Sequence, residues 1–200
     1  LISGGDTLDE SARQQIYTDI YSESMWLIEM VENLLYATRI EDGRMQLNIS
    51  VEILDDIVQE AVRHTKRTHP KRNIIVDMYD EIIPVMADAN LIVQVIVNLM
   101  DNAVKYSPVG STVTIRAATT VSFLRLEVKD EGIGIPRENY HKVFQRFYRG
   151  EAPLVQKEEG SGVGLYLARR IIEGHNGTIS LDARRMTKEP GSVFVIQLPL

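Results

Sequence analysis

The first 42 residues carry an apolar seam that calls for a helical partner. Apolar or small residues recur at alternating steps of three and four, and Ile28 and Leu35 widen the seam on one side. Its members are Tyr17, Ile20, Ser24, Leu27, Val31, Leu34 and Thr38. Such spacing places one stripe along a helix and is typical of helices that pack on other helices. We predict a helix over residues 8–42 that forms one arm of a helical bundle; packing on its own domain is the alternative.

Both ends of this helix have sequence signals. Thr7 and Glu10 have the spacing of a capping box, in which a hydroxyl and a carboxylate satisfy each other's orphan main-chain amides. Gly43 follows Glu41 and Asp42 and is suited to the left-handed conformation that often ends a helix. A second domain is expected to begin after it.

Residues 45–200 mix short strands with helices, without the regular cadence of a doubly wound fold. We predict an α+β domain with a mixed sheet of about five strands, covered on one face by helices. Strands are expected at 45–51, 73–79, 112–117, 122–130, 178–183 and 192–198. Helices are expected at 53–62, at 88–103 with Asp88 as N-cap, and at 164–174 with Gly174 as the stop.

Composition excludes several classes of protein. The chain has no cysteine, so disulfide scaffolds, zinc fingers, iron–sulfur clusters and cysteine nucleophiles are absent. Its net charge of −6 argues against nucleic-acid binding, which usually needs a strongly basic surface. No apolar run reaches the roughly 18 residues that a membrane-spanning helix needs, and the first five residues have no basic leader. We therefore expect no nucleic-acid partner and no membrane contact within these 200 residues.

The predicted helix around residue 100 carries a polar stripe. Asn98, Asn102 and Lys105 lie at i, i+4 and i+7 and therefore point in similar directions. Amide oxygens suit a hard cation such as Mg²⁺, and a lysine offers a point charge to phosphate. The stripe is compatible with a magnesium nucleotide, although an isolated pair of asparagines usually just faces water.

Two glycine-bearing segments add to this pattern. Asp130 ends a predicted strand and precedes Gly132 and Gly134, so a ligand can approach the backbone while the acid accepts a hydrogen bond from the amine of a base. The run Gly160–Gly164 begins a predicted helix, where free amides attract phosphate. It lacks the signature of a P-loop or a Rossmann turn. Either segment alone is weak support, because polar turns also look like this.

Taken in order, these segments resemble the catalytic, ATP-binding domain of sensor histidine kinases, within the superfamily shared with DNA gyrase, MutL and heat-shock chaperones. The matching segments are Asn98–Tyr106 (N box), Asp130–Pro136 (G1 box), Phe144–Gly150 (F box) and Gly160–Leu165 (G2 box). The first 42 residues resemble the second helix of that family's dimerisation hairpin, closest to the KdpD-type, potassium-responsive branch. The implied domains are residues 1–44, a partial dimerisation and phosphoacceptor hairpin, and residues 45–200, the catalytic domain.

The resemblance implies a role for each matching residue. Asn102 would ligate Mg²⁺ with help from Asn98, and Asp130 would hold the adenine amine of ATP. Residues 150–161 would form a mobile ATP lid. The remaining expected contacts with the nucleotide are Lys105, Tyr148 and Arg149 at the phosphates, Tyr106 beside the nucleotide, Gly132 and Gly134 at the base, and Gly162, Gly164 and Leu165 in the phosphate-side loop. Asn98, Lys105 and Arg149 form the expected catalytic set.

Position 98 bears on the reaction. ATPases of the superfamily typically carry a glutamate there that activates water, whereas an asparagine accepts no proton at neutral pH. We therefore expect slow hydrolysis and transfer to histidine, whose neutral imidazole is already a nucleophile. An anti-sigma-type serine kinase, a hydrolysing ATPase and a nucleotide-binding scaffold are the alternatives.

None of the four histidines, His64, His69, His141 and His175, has the sequence context of the family's phosphoacceptor. We expect all four on the surface, in loops or at helix ends. The acceptor is expected upstream of residue 1, so the chain should bind ATP without phosphorylating itself. The resemblance further implies a homodimer through the helical hairpin, relay to a response-regulator receiver domain, and a cytoplasmic location in a membrane-anchored bacterial sensor.

Overall fold

A computed structural model describes residues 9–41, 47–78, 82–158, 160–183 and 190–200. The helices are α1 (Glu10–Glu41), α2 (Leu54–Thr68), α3 (Ala89–Lys105), α4 (Pro153–Lys157) and α5 (Gly164–Gly174). The strands are β1 (Ser50–Ile53), β2 (Asn73–Met78), β3 (Pro84–Ala87), β4 (Thr112–Thr119), β5 (Phe123–Lys129), β6 (Thr178–Leu181) and β7 (Val193–Pro199). A 3₁₀ turn spans Arg137–Asn139.

The long N-terminal helix is present, but a different residue caps it. α1 begins at Glu10, and the Asp9 carboxylate accepts a hydrogen bond from the Ala12 amide at 2.7 Å. Asp9 therefore takes the place that the capping-box prediction gave to Thr7, since a carboxylate one residue before the helix reaches the first free amides. Thr7 and Gly43 lie outside the described residues.

The seam side chains of α1 that the structure describes face solvent within this chain. Tyr17, Ile20, Leu27 and Val31 each expose about half or more of their surface. The helix approaches α5, but these apolar side chains are not buried there. The exposed seam is the pattern expected for a helix that meets a partner outside this chain.

The predicted strand at 45–51 begins later and belongs to a separate small sheet. β1 pairs antiparallel with β3, an element that the sequence reading did not predict. Residues 47–49 precede the strand without strand structure, and 45–46 lie outside the described residues. Pro84 opens β3 opposite Ile53, at the end of the short ladder, where the missing proline N–H is tolerated.

The main sheet has five strands in the order β2-β4-β5-β7-β6. β2 and β4 are parallel and the other three pairs are antiparallel, so the sheet is mixed as predicted. The alternation of buried and exposed residues along β4 and β5 follows the twofold period of a strand. The buried rows of these strands form one core with the apolar faces of α2, α3 and α5. This confirms the α+β fold with helices on one face.

Asp88 joins three parts of the chain. One oxygen of its carboxylate accepts from the Leu91 amide at 3.3 Å, which confirms the predicted N-cap of α3. The other oxygen accepts from the Asn48 amide at 3.0 Å. The Asp88 amide in turn donates to Nε2 of His175 at 3.0 Å.

His175 is therefore not the surface residue that the sequence suggested. It is 4% exposed, and its Nδ1 lies 2.8 Å from the Ile171 carbonyl oxygen. With Nε2 accepting and Nδ1 donating, the ring is the neutral tautomer. α5 ends at Gly174, as predicted, and the residue with left-handed conformation after the helix is Asn176, at φ 56°.

Candidate functional site

A cavity of about 450 Å³ opens between α3, the loop after β5 and the segment from Phe144 to α5. Its volume is in the range of small-molecule and nucleotide sites. Eleven of the twelve residues predicted to bind cofactor or metal line it: Asn98, Asn102, Lys105, Tyr106, Asp130, Gly134, Tyr148, Arg149, Gly162, Gly164 and Leu165. Gly132, the twelfth, lies behind the wall.

α3 supplies the polar stripe on one side of the cavity. Asn98, Asn102 and Lys105 all line it, while the opposite face of α3 is buried in the core. Among described side chains, the Asn98 Nδ2 atom is buried without a hydrogen-bond partner. A buried polar group of this kind normally has a partner, so its position is explained if a ligand completes it. The two amide oxygens and the neighbouring lysine fit a hard divalent cation carried with phosphate.

Asp130 lies at the other end of the cavity and is only 5% exposed. Its Oδ1 accepts hydrogen bonds from the Gly132 amide at 2.8 Å and the Ser192 amide at 2.9 Å. Neither amide uses Oδ2, and the Ser192 side chain forms a further hydrogen bond with the carboxyl group. Burial raises the pKa of this carboxyl, and the hydrogen bonds from Gly132 and Ser192 oppose that rise.

Gly191 and Ser192 belong to the site, and the sequence reading missed both. Ser192 lines the cavity, and its carbonyl accepts from the Asp130 amide at 2.9 Å. Gly191 has φ +99°, and a β-carbon there would fall 2.0 Å from the Asp130 carbonyl oxygen. The Pro190-Gly191 pair was read only as a turn, because nothing local in the sequence shows that β7 pairs with β5 beside Asp130.

The glycines after Asp130 differ in what they do. A β-carbon at Gly132 would lie 2.4 Å from the Tyr106 carbonyl oxygen and 2.9 Å from Asp130 Oδ1, so this glycine lets the loop pack on the end of α3. Gly134 has φ +70° and lines the cavity directly. Tyr106 forms part of the same wall, and burial raises the pKa of its phenol, although the nearby Arg149 opposes the rise.

The segments around Phe147 and Gly162 are held together. The Phe147 amide donates to the Gly162 carbonyl at 3.0 Å, and both residues have positive φ, 62° and 69°. A β-carbon at Gly162 would lie 2.8 Å from the Phe147 carbonyl carbon and 2.9 Å from the main-chain carbonyl oxygen of Tyr148. This contact places Tyr148 beside the glycine loop that opens α5.

Arg149 holds the segment predicted as a lid. Its Nη2 donates to the carbonyls of Val155, at 2.6 Å, and Glu158, at the C-terminal end of α4. Gln156 also donates to the Gly150 carbonyl at 2.7 Å. Arg149, which was expected to contact the phosphates, therefore binds the lid segment and lines the cavity at the same time. The predicted mobility of the lid stays a prediction.

The cavity has several further lining residues that the sequence reading did not select. Six of them are larger apolar residues that form its sides: Ile133, Ile135, Pro136, Val143, Val155 and Phe194. Asp101, one residue before Asn102, also lines it and lies 3.8 Å from Nε2 of His69. Apolar residues of this type are indistinguishable from core residues in sequence, which is why they were missed.

The arrangement therefore has two chemically different ends. One presents a buried carboxylate oxygen between apolar walls, which suits the exocyclic amine of a purine. The other presents amides, a lysine and the N-terminus of α5, which suit phosphates and a divalent cation. In the ranges that the structure describes, no helix has both the length and the hydropathy needed to cross a bilayer.

A protein-family comparison agrees with this reading of the cavity. The family described as histidine kinase-, DNA gyrase B-, and HSP90-like ATPase matches residues 87–200, more than half of the chain. The match begins at the end of β3 and includes every segment that lines the cavity.

Curated relatives are sensor kinases. The chain is 32% identical to sensor protein KdpD of Clostridium acetobutylicum over 199 residues, which is 100% of this chain and 22% of that protein. It is 34% identical to sensor histidine kinase WalK of Bacillus subtilis over 89% of this chain and 29% of that protein. The chain thus spans less than a third of the length of either relative.

A solved structure extends the likeness to the fold of nearly the whole chain. The histidine kinase AdeS of Acinetobacter baumannii superposes with a TM-score of 0.74 over 96% of this chain and 86% of that one. At 24% identity, this likeness supports the fold and carries no argument about activity.

Proposed function

The chain belongs to the family of histidine kinase-, DNA gyrase B- and HSP90-like ATPases, and on that premise we propose that it is the catalytic module of a two-component sensor histidine kinase. In this proposal residues 45–200 bind ATP and transfer its γ-phosphoryl group to a histidine upstream of residue 1. Residues 1–44 contribute part of the dimerisation hairpin. The observation that carries the proposal is the cavity with Asp130 at one end and Asn98, Asn102 and Lys105 at the other.

Asp130 binds the purine. Its Oδ2 accepts the hydrogen bond from the exocyclic amine of adenine, while Oδ1 stays fixed by two main-chain amides. Guanine carries a carbonyl oxygen at the corresponding position, so two acceptors would face each other. Such a mismatch leaves a buried polar group unpaired and disfavours GTP.

Lys105, Tyr148 and Arg149 bind the phosphates together with the amides of Gly162 and Gly164 at the start of α5. Asn102 and Asn98 hold Mg²⁺ through their amide oxygens. When bound, Mg²⁺ neutralises charge on the phosphates. The α3 stripe orients the terminal phosphate toward the open side of the cavity, and the lid residues exclude water from it.

The reaction is an in-line displacement. A histidine ring nitrogen forms a bond to the γ-phosphorus, the bond between γ-phosphorus and the bridging oxygen breaks, and ADP leaves. The neutral imidazole supplies the electron pair and needs no strong base. Asn98 cannot act as a base that activates water, so transfer to histidine is favoured over hydrolysis. The phosphoryl group is then relayed to an aspartate of a response-regulator receiver domain.

The exposed seam of α1 supports a homodimer through a four-helix bundle. A bundle arm buries such a seam against helices from the hairpin and its copy. We place the module on the cytoplasmic side of a membrane-anchored sensor, by analogy with the sensor kinases to which it is similar.

Calorimetry with Mg-ATP, Mg-ADP and Mg-GTP is the first test. We expect adenine-selective binding that depends on Mg²⁺, with dissociation constants in the micromolar range, about −8 kcal/mol. Absence of nucleotide binding would contradict the proposal and favour a scaffold. A chain extended upstream to include the first hairpin helix should label on histidine with γ-labelled ATP, whereas labelling on serine would favour a serine kinase.

A further inference from the structure

We propose that Arg72 is a positioning residue for the purine end of the site, and that it sets the preference for adenine although it does not line the cavity. The inference rests on the proposed function, because it concerns the same nucleotide site. Arg72 lies in the loop between α2 and β2, outside the four segments that the family resemblance covers.

The Arg72 guanidinium binds the C-terminal end of α3 and the loop that follows it. Nη2 donates to the carbonyls of Val104 at 2.7 Å and Ser107 at 3.0 Å. Nη1 donates to the Pro108 carbonyl and, at 3.0 Å, to the Ser111 hydroxyl. One side chain thereby fixes four oxygen atoms between Val104 and Ser111.

One of these contacts, to the Val104 carbonyl, satisfies a group in the last turn of α3, and the other three hold the loop that follows the helix. The last four carbonyls of an α-helix have no intrahelical amide, and a cation there also complements the helix dipole. Only the planar fork of an arginine presents enough donors in fixed geometry to hold four acceptors at once. Among the residues that the structure describes, no carboxylate forms an ion pair with Arg72, so its charge serves the cap alone.

The end of α3 is in turn the support of the purine loop. The Tyr106 carbonyl accepts from the Ile133 amide at 3.2 Å, and Gly132 packs so closely that a β-carbon would lie 2.4 Å from the same oxygen. On the other side, the Glu131 carboxylate accepts from the Thr112 amide at 2.9 Å. The loop after Asp130 is therefore attached on two sides to the segment that Arg72 fixes.

A displacement of this segment changes the direction of the Asp130 carboxylate. The Gly132 amide holds Asp130 Oδ1, so movement of Gly132 with Tyr106 moves the acceptor for the adenine amine. Hydrogen bonds weaken steeply with misalignment. The glycine loop at the phosphate end is held separately, through the contact between Phe147 and Gly162, so it should not respond. Lys105 lies within the segment that Arg72 fixes, but the phosphates it is proposed to bind are common to ATP and GTP, so its displacement does not change their affinity ratio.

The test compares Arg72→Met and Arg72→Lys with the parent chain. Arg116→Met is the matched control, because Arg116 is an exposed arginine whose partner Asp77 lies on the outer face of the sheet. Calorimetry measures the affinities for Mg-ATP, Mg-ADP and Mg-GTP. Amide hydrogen exchange of Ile133, without nucleotide, reports on the loop directly.

For Arg72→Met we expect at least a tenfold fall in the ratio of ATP to GTP affinity, mostly through weaker ATP binding, with the ATP to ADP ratio unchanged within twofold. Exchange of the Ile133 amide should accelerate at least tenfold. Arg72→Lys, which keeps the charge but fewer donors, should lie between this variant and the parent, and Arg116→Met should match the parent.

An unchanged ATP to GTP ratio in folded Arg72 variants overturns the inference, as does unchanged exchange at Ile133. If Arg72→Met does not fold, Arg72→Lys decides by the same two measurements. A parent chain without adenine selectivity would instead contradict the proposed function. In that case the exchange rate of Ile133 still tests whether Arg72 holds the loop.

Discussion

Gly191 lies so close to Asp130 that any side chain at position 191 would overlap the Asp130 main chain. A β-carbon would lie 2.0 Å from the Asp130 carbonyl oxygen and 3.0 Å from its Oδ1. The glycine also has φ +99°, a conformation that other residues rarely adopt. The residues just before β7 and Asp130, the acid proposed to bind the purine, thus form one closely packed unit.

Gly191→Ala should therefore lose both stability and nucleotide binding. Gly110→Ala is the control, because Gly110 also has a positive φ, +88°, but has nothing within 4 Å of its β-position. We expect the control to lose about 1–2 kcal/mol of unfolding free energy and to keep its ATP affinity. Gly191→Ala should lose more than that and bind ATP at least tenfold more weakly. Urea denaturation and calorimetry measure both, and equal behaviour of the two variants would contradict the assignment.

The raised pKa of Asp130 predicts how ATP binding depends on pH. Burial is the main cause of the rise above the ordinary value of 3.8. Adenine needs the ionised carboxylate as acceptor, so affinity should fall as the pH is lowered through the raised pKa, earlier than an exposed carboxyl would cause. Asp130→Asn should abolish binding at every pH in this range. Calorimetry across pH 4–7 tests it, and a pH-independent affinity in the parent would refute the role.

Stability should respond with the opposite sign. Because the folded protein holds the Asp130 proton more tightly than the unfolded chain, the contribution of this residue to the unfolding free energy rises as the pH falls between the raised pKa and 3.8. The difference in unfolding free energy between the parent and Asp130→Asn, measured by urea titration at several pH values, isolates the effect. A difference that does not change with pH would show that Asp130 has an ordinary pKa.

The contact between Gly162 and Phe147 should be needed for phosphate binding. Gly162→Ala introduces a β-carbon 2.8 Å from the Phe147 carbonyl carbon, at φ +69°, whereas Gly160→Ala enters open space. We expect Gly162→Ala to weaken ATP and ADP binding by tenfold or more, while Gly160→Ala stays within twofold of the parent. Equal affinities would mean that the phosphate loop does not depend on this contact.

Arg149 should keep α4 closed when no nucleotide is bound. Arg149→Met removes the donors to the carbonyls of Val155 and Glu158. A lysine-specific protease should then cleave after Lys157 several times faster, because local opening governs such cleavage. Arg116→Met leaves the lysine sites unchanged in the same way and should be cleaved at the parental rate. An unaltered cleavage rate in Arg149→Met would show that the lid is held by other contacts.

The seam of α1 should matter for assembly but not for nucleotide binding. Val31 is 50% exposed, so Val31→Glu should change the unfolding free energy by less than about 0.5 kcal/mol and leave ATP affinity unchanged. In a chain extended upstream by the first hairpin helix, it should shift sedimentation from dimer to monomer, whereas Gln15→Glu, off the seam, should not. A dimer that survives Val31→Glu would place the interface elsewhere.

Much of the fold follows from local sequence patterns. Each of β4, β5 and α3 has one buried face. The sequence signals of these elements, a twofold alternation in the strands and a helical spacing in α3, are therefore strong. β3 was missed because its four residues, Pro84–Ala87, are too short to show a period and begin with a proline. The Asp9 cap was missed because Thr7 and Asp9 are both suitable N-cap residues and differ only in where the helix starts.

The site could be predicted where a motif is contiguous, and not where the fold joins distant segments. Asp130 and the α3 stripe were found from their spacing. Ser192 and Gly191 were not, because they meet Asp130 only through strand pairing. His175 was misplaced for a similar reason: its partner, the Asp88 amide, is 87 residues away in the chain. Sequence alone does not reveal which polar residues are satisfied across such separations.

The hydrogen bonds around Asp88 connect the segment before β1 to α3 and α5, two helices that line the cavity. Asn48, the first turn of α3 and the end of α5 all meet at this residue. We therefore expect a displacement of the segment before β1 to move the start of α3, the helix whose later turns carry Asn98 and Asn102. A single residue, Asp88, thus couples the position of the segment before β1 to that of the helix that lines the cavity.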